Sequence, residues 1–215
     1  MTSQEEQNGS GVLALVASPI PQVRQHAAGN LTGELRKVKD LAADFHNLLS
    51  KWNTLNVQGM DVITKIANIK IEQVFNKEML TTDPTGTKLP MELNPLCNML
   101  LDILDAMSKI ILKLEFKAKT AQSLVSLQQF QKSGAGNPVL FLTMTLPDVA
   151  NTLLEIHKSF SKEFNFKTEL VKQVAHADNR DTMMFYSACW LHQPYVEAQC
   201  QDLLQALLKE TGHIQ

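Results

Sequence analysis

Residues 91–132, MELNPLCNMLLDILDAMSKIILKLEFKAKTAQSLVSLQQFQK, hold one apolar seam in unbroken three-four stagger. The seam runs through Cys97, Leu100, Leu104, Met107, Ile111, Leu114, Ala118, Ala121 and Val125. That spacing keeps one stripe of a helix turned toward a partner over its whole length. The stretch has no glycine, and its one proline, Pro95, falls in the first turn, where a missing N–H costs little. At 1.5 Å per residue the rod spans about 60 Å, well beyond an ordinary globular helix. Such a rod has to lie along other rods, which favours helix–helix packing over an enclosed catalytic pocket. Leu93 and Leu101 widen the face, so contact with more than one neighbour is expected.

Working toward the N-terminus, residues 81–90 (TTDPTGTKLP) form a loop by composition. Before it, a helix is predicted to begin after Gly33, with the seam Leu35, Val38, Ala42, Phe45, Leu49, Trp52 and Asn56. Gly59 interrupts that seam, and Val62, Ile63, Ile66, Ile69 and Val74 resume it in shifted phase. A kink or short break at 56–59 is expected, since glycine weakens a helix by about 1 kcal/mol against alanine. Residues 1–27 read as a disordered tail with no sustained helical period. They include Ser18-Pro19, the minimal acceptor of a proline-directed kinase, which makes Ser18 a candidate phosphosite.

Toward the C-terminus, residues 133–138 (SGAGNP) end the long rod. Val139–Thr145 is apolar and rich in β-formers. One such run builds no sheet alone, so it is read as a strap across the helices. A third long helix starts at Leu146-Pro147-Asp148, with the face Val149, Leu153, Ile156, Phe160, Phe164, Leu170 and Val174 and with Lys167 crossing it. Two shorter helices follow, over 181–191 and after Pro194, the last carrying Cys200, Leu203, Leu204, Leu207 and Leu208 up to Gly212. The expected architecture is an all-α, elongated antiparallel bundle of three long helices plus shorter C-terminal ones. It occupies residues 28–215 as a single domain, with loops near 77–90 and 133–146.

Composition agrees. The chain of 215 residues is 44% hydrophobic, 20% charged and only 6% aromatic, a balance that suits helix packing better than a β-sandwich. Net charge is −2, so there is no basic field for gripping phosphate backbones, and direct nucleic-acid binding is disfavoured. Three cysteines point to a reducing compartment rather than a disulfide framework. The apolar run 11–17 lacks the basic flank of a signal peptide, and no stretch is long enough to cross a bilayer, so a soluble intracellular protein is expected.

No phosphate-binding glycine loop, His-Glu-x-x-His or Gly-x-Ser-x-Gly elbow occurs, so no catalytic residue is assigned. Cys189, His192, Cys200 and His213 offer ligand types that zinc accepts. The spacings of Cys200 and His213 match no compact zinc module, and Trp190-Leu191 argues for core packing, so no metal and no cofactor is expected. The densest aromatic and polar cluster is residues 190–196, WLHQPYV. Pro194 fixes a bend there, while Trp190 and Tyr195 present large rigid surfaces with polar tips. Such a cluster serves equally as a core corner or as an interface hot spot.

Two segments together are specific enough to name a family. Arg36-Lys37-Val38-Lys39-Asp40, residues 42–48 (AADFHNL), Trp52-x-Thr54-Leu55-Asn56 and residues 66–71 (IANIKI) closely resemble the N-terminal helix of the cyclin-dependent kinase 2-interacting protein family. Residues 190–197 (WLHQPYVE) and Glu210-Thr211-Gly212-His213 resemble that family's closing motif. The resemblance runs from about residue 35 to the C-terminus; residues 80–145 match mainly in helical character. Phe45 stands where the family has tryptophan, and the N-terminal tail differs most.

The resemblance implies a non-enzymatic adaptor. Its implied partners are cyclin-dependent kinase and Cdc7 kinase complexes at replication, the ATR-interacting checkpoint protein, and an AAA ATPase assembly of ribosome maturation with a second small helical subunit. It also implies a nuclear location with the cytoplasm as a second. The candidate partner-binding residues are Trp52, Trp190, His192, Gln193, Pro194 and Tyr195. A small zinc-dependent helical module and a self-associating coiled coil are the alternatives.

Overall fold

The computed structural model describes residues 33–75, 90–131 and 138–214. The tail with Ser18, and the loop near 77–90 except its final Pro90, lie outside them. Helix α1, Glu34–Lys70, starts behind Gly33, whose φ of 78° suits glycine and few other residues. It runs 37 residues and ends in a π-helical turn, Ile71–Phe75. Helix α2, Leu93–Gln131, spans 39 residues, and α3, Leu146–Val174, spans 29. Two 13-residue helices complete the chain: α4, Arg180–His192, and α5, Ala198–Glu210. No strand occurs among the described residues, and the fold is all-α as expected.

Helix α2 packs against both α1 and α3. Leu100, Leu104, Met107, Leu114, Ala118 and Ala121 of its seam are buried. Cys97, Ile111 and Val125 are half-buried, and Ile103, Ile110 and Leu124 share the core with the seam. Two neighbours require a wider apolar face than a two-position stripe provides. Leu93 joins that face, whereas Leu101 is 56% exposed on the opposite side.

Helices α1 and α3 barely meet directly; α4 and α5 fill the space between them. The two short helices follow one another down α1 in the reverse direction. Lys70 Nζ donates to Ala175 O at 2.7 Å, Trp190 Nε1 donates to Asn56 O at 2.9 Å, and His213 Nε2 lies 2.9 Å from Lys39 O. The architecture is therefore four-cornered and antiparallel, with its fourth rod broken in two at residues 193–197.

Two local expectations need correction. Of the kink or short break expected at 56–59, the break is absent: helix α1 runs through without interruption, and Gly59 is there for its size. A Cβ built there would sit 2.2 Å from Trp190 Cζ2. The segment 139–145 is not a strap: it folds on itself through a bridge between Val139 and Thr145, with Leu140 N donating to Met144 O at 2.9 Å. Glu210 of α5 then accepts from the backbone N–H groups of Leu142, Thr143 and Met144 and from the Thr143 hydroxyl. The loop hands over to α3 through a capping box: Thr145 Oγ1 accepts from Asp148 N, and Asp148 Oδ2 accepts from Thr145 N at 2.9 Å.

Candidate functional site

The turn from α4 into α5 is built from below by a buried polar layer. Lys167 and Glu163 lie one turn apart on α3, both fully buried, with Lys167 Nζ 3.2 Å from Glu163 Oε1. Lys167 Nζ also donates to Asn56 Oδ1 and to Trp190 O, each at 2.8 Å, and sits 4.1 Å from the centre of the Trp190 ring. Glu163 Oε2 accepts from Tyr195 N at 3.0 Å. One ion pair thus ties α1, α3, the end of α4 and the turn together. Burial drives the Lys167 ammonium down from 10.5 to about 8, against the pull of Glu163. Burial, and then the Glu163 charge, push the neighbouring Cys189 thiol up, which holds it as an unreactive thiol.

Above this layer, Gln193 adopts a left-handed backbone with φ of 48°. Its Oε1 accepts from Trp52 Nε1 at 2.7 Å, and the Trp52 ring meets Phe160 edge-on at 5.3 Å. Trp52 and Trp190 are each 0% exposed. Of the candidate partner-binding set, these two are therefore core residues that hold the corner from inside, and no partner reaches them in this conformation. Gln193 is half-buried, while His192, Pro194 and Tyr195 are exposed. The Tyr195 ring leans on Phe166 at 5.6 Å. Leu191, Met184 and Phe185 are also exposed. Met184 and Leu191, seven residues apart, lie on the same side of α4 and carry the apolar surface up to the corner.

A second surface was not anticipated. On α2, Leu101, Leu112, Phe116, Leu127 and Phe130 are all exposed, and their spacing places them on the side opposite the buried seam. The signal was present as a recurring eleven-residue step, from Leu101 to Leu112 and from Phe116 to Leu127, masked by the stronger seam.

Among the described residues no three His, Cys, Asp or Glu side chains are grouped so as to hold a metal ion. Cys189 lies beside Glu163 and Lys167, His192 is exposed at the end of α4, Cys200 is buried on α5, and His213 abuts Lys39 at the far end of α1, so the four candidate ligands do not converge. No helix among the described residues is long and apolar enough to cross a membrane.

No protein-family model matches the chain. Curated relatives do. The chain is 34% identical to cyclin-dependent kinase 2-interacting protein of Xenopus laevis over 189 residues, covering 85% of this chain and 91% of that protein. It is 34% identical to the protein of the same name from Homo sapiens over 198 residues, and 31% identical to that of Mus musculus over 194. In both cases 85% of this chain and 92% of the relative are covered. These relatives are named as interacting proteins, not as enzymes. With near-complete coverage on both sides, the chain belongs to the cyclin-dependent kinase 2-interacting protein family.

Proposed function

We propose that this chain is a non-enzymatic helical adaptor that binds a cyclin-dependent kinase and couples it to larger complexes. Its 34% identity across nearly the whole length of relatives named for binding cyclin-dependent kinase 2 carries the reading. The exposed residues Leu191, His192, Pro194 and Tyr195 support it. They form a rigid apolar corner with polar tips, the composition of an interface anchor. Further partners follow the same reading: Cdc7 kinase, the ATR-interacting checkpoint protein and an AAA ATPase assembly with a second small helical subunit, in the nucleus. Ser18-Pro19 is then an acceptor for the bound kinase, and phosphate incorporation that is lost on Ser18→Ala tests it.

The direct test is biolayer interferometry of the purified chain against purified cyclin-dependent kinase 2 with its cyclin. Saturable binding is expected, and Leu191→Ala with Tyr195→Ala should weaken it by about thirtyfold, since each truncated anchor costs about 1 kcal/mol. Absence of binding by the unaltered chain overturns the kinase reading. Binding untouched by the double variant overturns the corner as its site.

The outward stripe on α2 favours a second reading, a chain that pairs with itself through Leu112, Phe116, Leu127 and Phe130. Sedimentation velocity across a hundredfold dilution separates the two. A concentration-dependent dimer abolished by Phe116→Glu supports self-association, and a monomer throughout eliminates it.

A further inference from the structure

Helices α1 and α2 leave a groove of about 420 Å³ between them, within the size range of ligand-binding clefts. Its floor is apolar: Leu48 and Leu55 from α1, Ala106 and Ile110 from α2. The rim carries Lys51, Lys109 and Lys113, all exposed, with no carboxylate among the lining residues. Lys109 pairs with Asp105 on its own helix at 2.6 Å, and Lys117, one turn beyond Lys113, is held by Asp44. Lys51 and Lys113 have no ion-pair partner among the described residues. Two ammonium groups without an ion-pair partner thus line opposite walls of an apolar trough, in a chain whose net charge is −2.

We propose that this groove is a docking site for an acidic amphipathic helix of a partner protein. Charge complementarity selects the sign: a ligand with carboxylates beside its apolar anchors satisfies Lys51 and Lys113 and seats its large side chains on Leu55 and Ala106. Backbone chemistry selects the helix. The walls are helices whose N–H and C=O groups are already paired, so an extended peptide finds nothing to bond, whereas a helical ligand satisfies its own backbone. The lining residues on α1, Leu48 to Gln58, cover about 15 Å of trough, room for about three turns of ligand helix.

Polarity follows from the groove's ends. Just past the lining residues, Asp61 lies three positions beyond Gln58 on α1 and Asp102 four positions before Ala106 on α2, both exposed. The ligand's carboxylates therefore belong at the lysine end, toward the start of α1. A bilayer surface fits less well, because the apolar floor is recessed below the rim and carboxylates close one end.

This inference goes beyond the kinase reading and does not depend on it, since the purified chain and a synthetic peptide suffice to test it. The probe is a fluorescein-labelled helical peptide of about 14 residues, with leucines at helical stagger and glutamates beside them at one end. Expected are a micromolar Kd by fluorescence polarisation, weakening with salt, and methyl shifts confined to Leu48, Leu55, Ala106 and Ile110. Lys51→Glu with Lys113→Glu should weaken binding at least tenfold while circular dichroism is unchanged, because both side chains are exposed and unpaired. A lysine-flanked version of the peptide should fail to bind. Equal binding of both peptides, shifts on another face, no effect of the double charge reversal, or capture by phosphatidylserine vesicles in place of the peptide would each overturn the proposal.

Discussion

Trp190 lays the edge of its six-membered ring directly over Gly59, so a single hydrogen atom at that position lets α4 approach α1. Gly59→Ala adds helix propensity worth about 1 kcal/mol, but its methyl group meets a fully buried ring pinned at Nε1 by Asn56 O. The clash wins, and urea unfolding should show a net loss of about 1–2 kcal/mol. The Lys167–Glu163 pair makes a pH prediction with a definite sign. The unfolded lysine titrates near 10.5 and the folded one near 8, so between those values the unfolded chain binds more protons and stability rises with pH. Below about pH 8 the cost of burying the charge is fully present. Measured against Lys167→Met with Glu163→Gln, which carries no charge at either position, the parent should gain stability from pH 8 to 10. A flat difference would mean that Lys167 is hydrated. Lys167→Met alone should destabilise by about 3–5 kcal/mol, because it leaves Glu163 buried and unpaired.

At the scale of elements, the clearest dependence is that of the 139–145 loop on α5. Burial raises the Glu210 carboxyl, yet the Thr143 hydroxyl and then three backbone N–H groups outweigh it, and the group ends below its ordinary value. Its stabilising effect is therefore complete above the ordinary glutamate range and lost as the pH falls through the lowered value. Glu210→Ala should cost about 1–3 kcal/mol and speed amide exchange at Leu142, Thr143 and Met144, whereas exchange within α2 stays unchanged. This contact was not legible in the chain as written. Residues 142–144 and Glu210 lie almost seventy positions apart, and β-rich composition suggested an extended strap. The helices themselves were legible because their determinants are local: Pro147 and Asp148 at the start of α3, Gly33 ahead of α1, and seams at helical stagger. Gly59 shows the limit. Propensity alone reads it as a weak point, and only the ring across the gap shows it to be a packing requirement.

At the scale of the whole molecule, the long rods could be read from periodicity, but the role of the short helices could not. Nothing in residues 180–210 states that two 13-residue helices stand in for one long one; the fact emerges from what faces them on α1 and α3. Composition marked the corner but left core and surface roles equally open, since Trp52 and Trp190 look identical to surface anchors until burial is known. A chain ending at residue 179 should expose the apolar side of α1 around Trp52 and Ile63, and so bind the dye ANS and associate. A monomeric, dye-silent fragment would show that the three long helices close on themselves.

The broken fourth rod also has a consequence for the birth of the protein. Because translation runs from the first helix toward the corner, α1, α2 and α3 leave the ribosome before the pieces that roof them exist. During that interval the strip that α4 and α5 later cover, Trp52 and Gly59 included, stands open to water, an apolar surface of the kind that chaperones recognise.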